Sequence, residues 1–292
     1  MAITVNTNIP SLTAQKSMNN ATTRMNTAME RMTTGLKINS SKDDAAGMAV
    51  ANKLDYKISS LNVAQNNGQM GTSMLDTAEG VLNVINDNLV RIRDLTEQAA
   101  NGTYGTDAMT AIETEVQARM DEITRLAESS EFNGKILFNP DDKSNNGIKK
   151  DITLQVGIKS DASSQIKLSA DLFKSAAASA LFKGAANVTK GDFSKVFDSD
   201  ENARTFLTAL DTALADITSR TTLLGGYQQR IISAMDAAGV METNLTSAKS
   251  LIEDADIAEE SSNYIKQQIL QQTSASLLAT ANQAPSIALN LV

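Results

Sequence analysis

The 292-residue sequence contains no cysteine, no histidine and no tryptophan. Without thiol or imidazole groups there is no Cys or His nucleophile, no imidazole base, no thiolate metal ligand, and no Ser-His-Asp or His-Glu-x-x-His arrangement. Most enzyme chemistry is thereby excluded, no metal or cofactor is expected, and a structural or binding role leads. Disulfides are excluded too, so a life outside the cell would need stability from another source, for which oligomerisation is the obvious candidate. Charge of one sign is in short supply: 26 Lys and Arg face 34 Asp and Glu, a net charge of -8. That balance argues against nucleic acid as a partner. Long hydrophobic runs are missing, and the start MAITVNTNIPSLTAQK has no basic region followed by an apolar one. Membrane spanning and Sec-type export are both disfavoured.

Proline is scarce as well, with only Pro10, Pro140 and Pro285. The stretches between them can be helical over unusual lengths, because nothing removes backbone donors. Ala14, Met18, Ala21, Met25, Ala28 and Met32 alternate steps of four and three, a heptad seam that Gly35 is placed to stop. The twelve methionines are therefore read as flexible packing groups rather than as a soft-metal box. After Ser40-Ser41, Asp43 and Asp44 favour a new helix start, and Leu54, Ile58 and Leu61 begin a second pattern. It resumes as Leu75, Ala78, Leu82, Ile85, Leu89, Ile92 and Ala99, with an apparent phase change near Gly68 and Gly71. One helix with a register slip is expected, roughly 85 Å long if unbroken from Asp43 to Ala100.

A shorter helix is predicted from Asp107 to Ser129, with Met109, Ile112, Val116, Met120, Ile123 and Leu126 on one side. The period then changes to two in Lys135 to Phe138, Ile152 to Val156 and Gln165 to Leu168, a small β-element near 134–170. Residues 170–204 have no clear period and are expected as a variable surface segment. From Thr205 the helical signal is strongest: Leu210, Ile217, Leu224, Ile231, Ala238, Leu245 and Ile252 fall at every seventh residue. Leu207, Leu214 and Met235 occupy the expected partner position, and Gly225-Gly226 marks a possible bend. A last helix follows Asp254, with Ile265, Ile269, Leu270, Leu277, Leu278 and Ala281 apolar. The fold class is mainly α: an elongated antiparallel helical coiled-coil bundle with a small β-hairpin element in the middle of the chain.

The two ends share a peculiarity. Between Met1 and Thr23 the one charged side chain is Lys16, and between Ser261 and Val292 it is Lys266. Uncharged polar faces suit helices from many copies packed by symmetry, where like charges would stack and repel. The competing reading is a pair of disordered tails in the isolated chain. Paired acids at Asp141-Asp142 and at Asp254 with Asp256 read as caps or loop solvation rather than metal sites.

Long ordered segments at both ends resemble the bacterial flagellins. They are Ile3 to Ala14 (ITVNTNIPSLTA), Leu36 to Val50 (LKINSSKDDAAGMAV), Asn67 to Val90 (NGQMGTSMLDTAEGVLNVINDNLV), Arg91 to Tyr104 (RIRDLTEQAANGTY), Glu131 to Leu137 (EFNGKIL), Ile252 to Glu259 (IEDADIAE) and the Gln-rich helix Gln267 to Asn282. The resemblance covers roughly residues 1–158 and 205–292. It implies a D0 coiled coil of the two ends (1–42 with 254–292) and a D1 helical rod (43–253), with no further domain, since the interval between the β-element and the last helices is too short for one. It implies a filament subunit for motility, exported unfolded through the flagellar type III apparatus without a cleaved signal peptide and added at the distal tip. The implied partners are further copies of the chain, the filament cap and hook-filament junction proteins, an export chaperone on the C-terminal helix, and in a host the Toll-like receptor for flagellin.

Carried over onto this sequence, the receptor-recognition or inter-subunit patch is Arg91, Leu95, Gln98 and Glu115, with Thr96 and Glu97 departing from the Ala-Val common there. The ending Leu289-Asn290-Leu291-Val292 also departs from the family pattern. Alternatives are a hook-filament junction protein of the same superfamily and, from another class, a translocator or tip coiled-coil protein of a virulence type III system. The latter is not expected to carry IEDADIAE or LKINSSKDDAAG. A flagellin with a metallopeptidase insert is excluded by the missing histidines.

Overall fold

The computed structural model describes residues 7–140, 146–186, 188 and 192–289, with side chains described through residue 283. Asp141 and Asp142, the first six residues, and the end after Leu289 lie outside the described residues. Six α-helices are found among the described residues: α1 (Ile9–Thr34), α2 (Ala45–Ala99), α3 (Thr106–Ser129), α4 (Ala178–Leu181), α5 (Asp200–Glu253) and α6 (Ile257–Leu289). Two antiparallel pairs of short strands complete the set, β1 (Glu131–Phe132) with β2 (Lys135–Ile136) and β3 (Ile152–Gln155) with β4 (Gln165–Leu168). The chain divides into two compact units, one of residues 1–58 with 243–292 and the other of residues 59–242.

In the first unit α1 opens on Asn8, whose side chain accepts from the Ser11 amide at 3.1 Å, and it closes on Gly35 in the left-handed region at φ 74°. A Cβ-free residue is what such a cap needs. The turn that follows is held by Asp43, which accepts from the amides of Asn39 and Ser40 and from the Ser40 hydroxyl. Asp44 then accepts from the amides of Ala46 and Gly47 at 3.0 and 2.9 Å, satisfying two of the orphan donors at the start of α2. Ile38 is buried against Gly47, where an added Cβ would sit 2.7 Å from the Ile38 Cδ1. The LKINSSKDDAAG segment is thus a self-contained corner between two helices.

In the second unit α2 carries one buried stripe without interruption. Leu61, Gly68, Leu75, Leu82, Leu89 and Thr96 stand seven apart and all are buried. The expected register slip is absent: Gly68 fills a seam position that hydropathy passes over. A Cβ there would lie 2.7 Å from Met235 Cγ on α5, and one at Gly71 would lie 2.5 Å from Leu154 Cδ1 on β3. These glycines let a neighbouring helix and a hairpin approach the α2 backbone closely. α5 likewise continues through Gly225-Gly226.

On α5 the main seam Leu210, Ile217, Leu224 and Ile231 is essentially inaccessible to solvent, and Ala238 is buried. The second buried row differs from expectation, because it runs through Phe206, Ala213 and Arg220. Leu207, Leu214 and Met235 are half-buried at its edge. In α3, Ile112, Val116, Met120, Ile123 and Ala127 face the core.

The segment 170–204, expected as a surface decoration, instead supplies core. All seven phenylalanines of the chain fall between Phe132 and Phe206. Phe138, Phe173, Phe182, Phe193, Phe197 and Phe206 are buried, and the rings of Phe182, Phe193 and Phe206 stand 5.1 to 5.7 Å apart in tilted and edge-on pairs. Arg220 fastens this segment: its Nη1 donates to the Lys174 carbonyl at 2.8 Å while Nη2 pairs with Asp216 at 2.5 Å. Replacing Phe206 by Ala should cost about 3–5 kcal/mol of stability, as large aromatic truncations in a packed core do. Val240→Ala on the exposed face should stay within about 0.5 kcal/mol. Chemical denaturation followed by circular dichroism distinguishes the two, and equal effects would place the phenylalanine cluster outside the core.

Candidate functional site

Two surfaces contain the residues singled out by the sequence. On α1, the seam Ala14, Met18, Ala21, Met25, Ala28 and Met32 packs with alanine innermost and Met18, Met25 and Met32 half-buried. The opposing stripe of α6 is polar: Glu260, Gln267 and Ser274 are buried, and Tyr264, Gln271, Leu278 and Ala281 are half-buried between and beyond them. Small side chains on α1 bring the helices close enough for bonds between them. Gln271 Nε2 donates to the Thr22 hydroxyl at 2.9 Å, Asn8 Nδ2 to the Ala281 carbonyl at 2.8 Å, and Ser11 Oγ to Asn282 at 2.8 Å.

The larger apolar residues of α6 are not in this seam. Ile265, Ile269, Leu270 and Leu277 are exposed, Ile269 and Leu277 each at 57 %, whereas Leu278 is half-buried. Ile9, Leu12 and Met29 on α1 are exposed as well. Leu245 and Ile252, which continue the α5 heptad row in the same unit, are half-buried. Asp256 caps α6 by accepting from the amides of Ala258 and Glu259 at 2.8 and 3.2 Å, and Asp254 accepts from Ser250, so neither acid is set up as a metal ligand.

The second surface lies on α2 and α3. Glu115 Oε1 accepts from Arg91 Nε at 3.2 Å and from Arg119 Nε at 3.1 Å, and Arg119 reaches Asn88 at 3.2 Å. One carboxylate therefore ties two helices through two guanidinium groups. Hydrogen bonding from Arg119, followed by Arg91, holds the Glu115 carboxyl below its ordinary value of 4.5. Next to this network an open groove of about 450 Å³ is lined by Arg91, Asp94, Glu97, Gln98, Asn101 and Tyr104. Arg93, two residues beyond Arg91, bonds Asp211 at 2.8 Å.

Leu95 corrects the sequence reading, since it is 4 % exposed and part of the core. It follows Arg91 by one helical turn, but the α2 stripe is wide enough there to include both Leu95 and Thr96. Thr96 is fully buried, with its hydroxyl bonded to the Ile92 carbonyl at 2.8 Å. Of the two departures from the family pattern, only Glu97 changes the surface. Arg220 escaped sequence reasoning because a charged residue is not counted into a buried row. The signal was its spacing, seven residues beyond Ala213 and fourteen beyond Phe206.

The first surface, set on the paired helices α1 and α6, belongs to a helical protein that leaves large apolar side chains exposed on both of these helices. Family comparison agrees. The bacterial flagellin N-terminal helical region matches residues 5–143, and the bacterial flagellin C-terminal helical region matches residues 207–292. The chain belongs to the bacterial flagellin family. Its sequence is 35 % identical to a flagellin of Xenorhabdus nematophila, with all of both chains covered. It is 33 % identical to the flagellar filament 30.7 kDa core protein of Treponema maltophilum, with 95 % of each chain covered. The solved structure of a flagellar hook-associated protein from Vibrio parahaemolyticus shares the fold at a TM-score of 0.59 and 16 % identity, over 72 % of this chain and 99 % of that one.

The Glu115 network yields a pH prediction. A carboxyl held below its ordinary value contributes stability that is present above that value and lost as pH falls through the folded-state one. Carbon-detected NMR titration should find the Glu115 carboxyl titrating below 4.5, and Arg119→Met should move it upward. An unshifted midpoint in the unaltered chain would contradict the geometry.

Proposed function

We propose that this chain is the structural subunit of a flagellar filament, an open helical homopolymer built for motility. One observation carries the reading. α1 and α6 pair through alanine and polar residues, and the large apolar side chains Ile265, Ile269, Leu270 and Leu277 stay on the outside. Exposed apolar stripes of this kind are rare on a finished monomer. Copies related by a screw operation would cover them, and a heterologous contact that does not close yields a filament. Charge poverty at both ends fits the same packing, because no like charges are stacked from copy to copy.

In this reading residues 1–42 with 254–292 form D0 and residues 43–253 form D1. Export unfolded through the flagellar type III apparatus is compatible with a chain that has no disulfides to break. The filament cap, the hook-filament junction proteins and an export chaperone on the C-terminal helix are its proposed partners. The apolar face of α6 offers the chaperone a helical stripe of the ordinary recognition kind. For the host Toll-like receptor, the accessible part of the patch is Arg91, Gln98 and Glu115, with Glu97 beside them and Leu95 beneath. A hook-filament junction role is not adopted, because the relative at 33 % identity is named a flagellar filament core protein and that at 35 % a flagellin, while the hook-associated structure shares the fold alone.

Seeded or salt-induced polymerisation watched by electron microscopy tests the proposal. The full chain should give long filaments, and a truncation ending at Glu259, which removes nearly all of α6, should give none. A full chain that stays monomeric under every seeding condition contradicts it.

A further inference from the structure

The α1–α6 seam repeats. Ala14, Ala21 and Ala28 are seven residues apart, as are Met18, Met25 and Met32. A slide of one heptad, about 10.5 Å along the axis, would put Ala21 where Ala28 is, Ala14 where Ala21 is, and Met18 where Met25 is. Apolar packing in the middle of the seam therefore does not choose between the two registers, which differ at its start, where Thr7 and Ser11 would take the places of Ala14 and Met18. The one ion pair between these helices among the described residues is Arg31 Nη1 to Glu260 Oε1 at 2.9 Å, with the Glu260 side chain 11 % exposed. Next to it the chain is clamped by backbone bonds, from the Lys37 amide to the Glu253 carbonyl at 2.6 Å and from the Ala255 amide to the Gly35 carbonyl at 2.9 Å. Arg24 stands one heptad before Arg31 and would meet Glu260 in the slid register.

We propose that Arg31 is a positioning residue for assembly, selecting with Glu260 and the Gly35 clamp the α1–α6 register that sets the axial offset between the outward apolar stripes of the two helices. A near-buried carboxylate loses much if left unpaired, so its position fixes where a guanidinium must lie. The backbone clamp opposes the slide in the unaltered chain, because sliding α1 past α6 would break both of its bonds. Reversing the charge at position 31 sets a second acid against Glu260 and favours the register in which Arg24 serves it. In contacts between copies, the displaced register would move Ile9 and Leu12 by about two turns relative to Ile265 and Leu277.

The test uses the full chain, whose lack of native cysteine leaves engineered pairs as the sole thiols. Thr22→Cys with Gln271→Cys reports the observed register, and Gln15→Cys with Gln271→Cys reports the slid one. Under polymerising conditions the unaltered background should oxidise the first pair at least about tenfold more than the second, the scale of one charge-assisted bond. Arg31→Glu should reverse or erase that preference, and the swap Arg31→Glu with Glu260→Arg should restore it, since Arg24 would then face a like charge in the slid register. An unchanged ratio in Arg31→Glu, or failure of the swap to restore it, overturns the proposal. The proposal rests on the filament reading for its consequence, and electron microscopy of the same samples separates the two. Absence of filaments from the unaltered chain counts against the function, while the cross-link ratio still decides the register.

Discussion

The face that α1 and α6 share is built mainly from alanine, methionine and polar residues, and this leaves Ile265, Ile269, Leu270 and Leu277 to water. A helix has one stripe to give to each neighbour, and here the stripe used within the chain is the less hydrophobic one. Alanine brings the axes close and lets short polar groups bond across, as Gln271 does with Thr22 and Asn8 with the Ala281 carbonyl. Such bonds fix geometry but add little net stability, each about 1 kcal/mol. The pair is therefore specified without being strongly held, and covering its outer stripes is where further free energy is available. Polymerisation follows from that imbalance.

The second compact unit is organised on the opposite principle. Its seams on α2, α3 and α5 are filled by leucine, isoleucine and valine, and the aromatic residues of the chain are concentrated there. Arg220 is the exception that holds the arrangement together. It lies in a buried row, anchors the Lys174 carbonyl, and keeps its charge matched by Asp216 at the surface edge. Its Nε is the one buried side-chain polar atom without a partner among the described residues. Breaking such a group leaves an uncompensated carbonyl under the 170–182 segment. The aromatic core is thus concentrated in one unit, while exposed large apolar side chains occur in both.

Much of this was legible in the sequence, because heptad spacing reports helix faces directly. The α5 row from Leu210 to Ile231, the α1 row and the Gly35 stop all correspond to buried stripes and a left-handed cap. What was not legible has physical reasons. Gly68 reads as a break, yet it is a contact, since a missing side chain can be filled by Met235 from a neighbour. Leu95 reads as a surface residue from its place in a motif, while the local width of the α2 stripe decides its burial. The phenylalanines of 170–204 follow no period because they reach the core from short turns rather than from a regular element. On α6, hydropathy picks out the apolar stripe without saying which stripe faces α1, and the structure assigns that place to Glu260, Gln267 and Ser274.

The central claim is that the outer stripes of the terminal helices are contacts between copies. Electron cryomicroscopy of filaments grown from the full chain, at a resolution that places side chains, tests it most directly. The account predicts that Ile265, Ile269 and Leu277 pack against α1 or α6 of neighbouring copies, while Ala14, Ala21 and Ala28 remain against α6 of their own. Filaments in which those isoleucines and leucines still face water, with the alanine seam opened toward another copy instead, would contradict it.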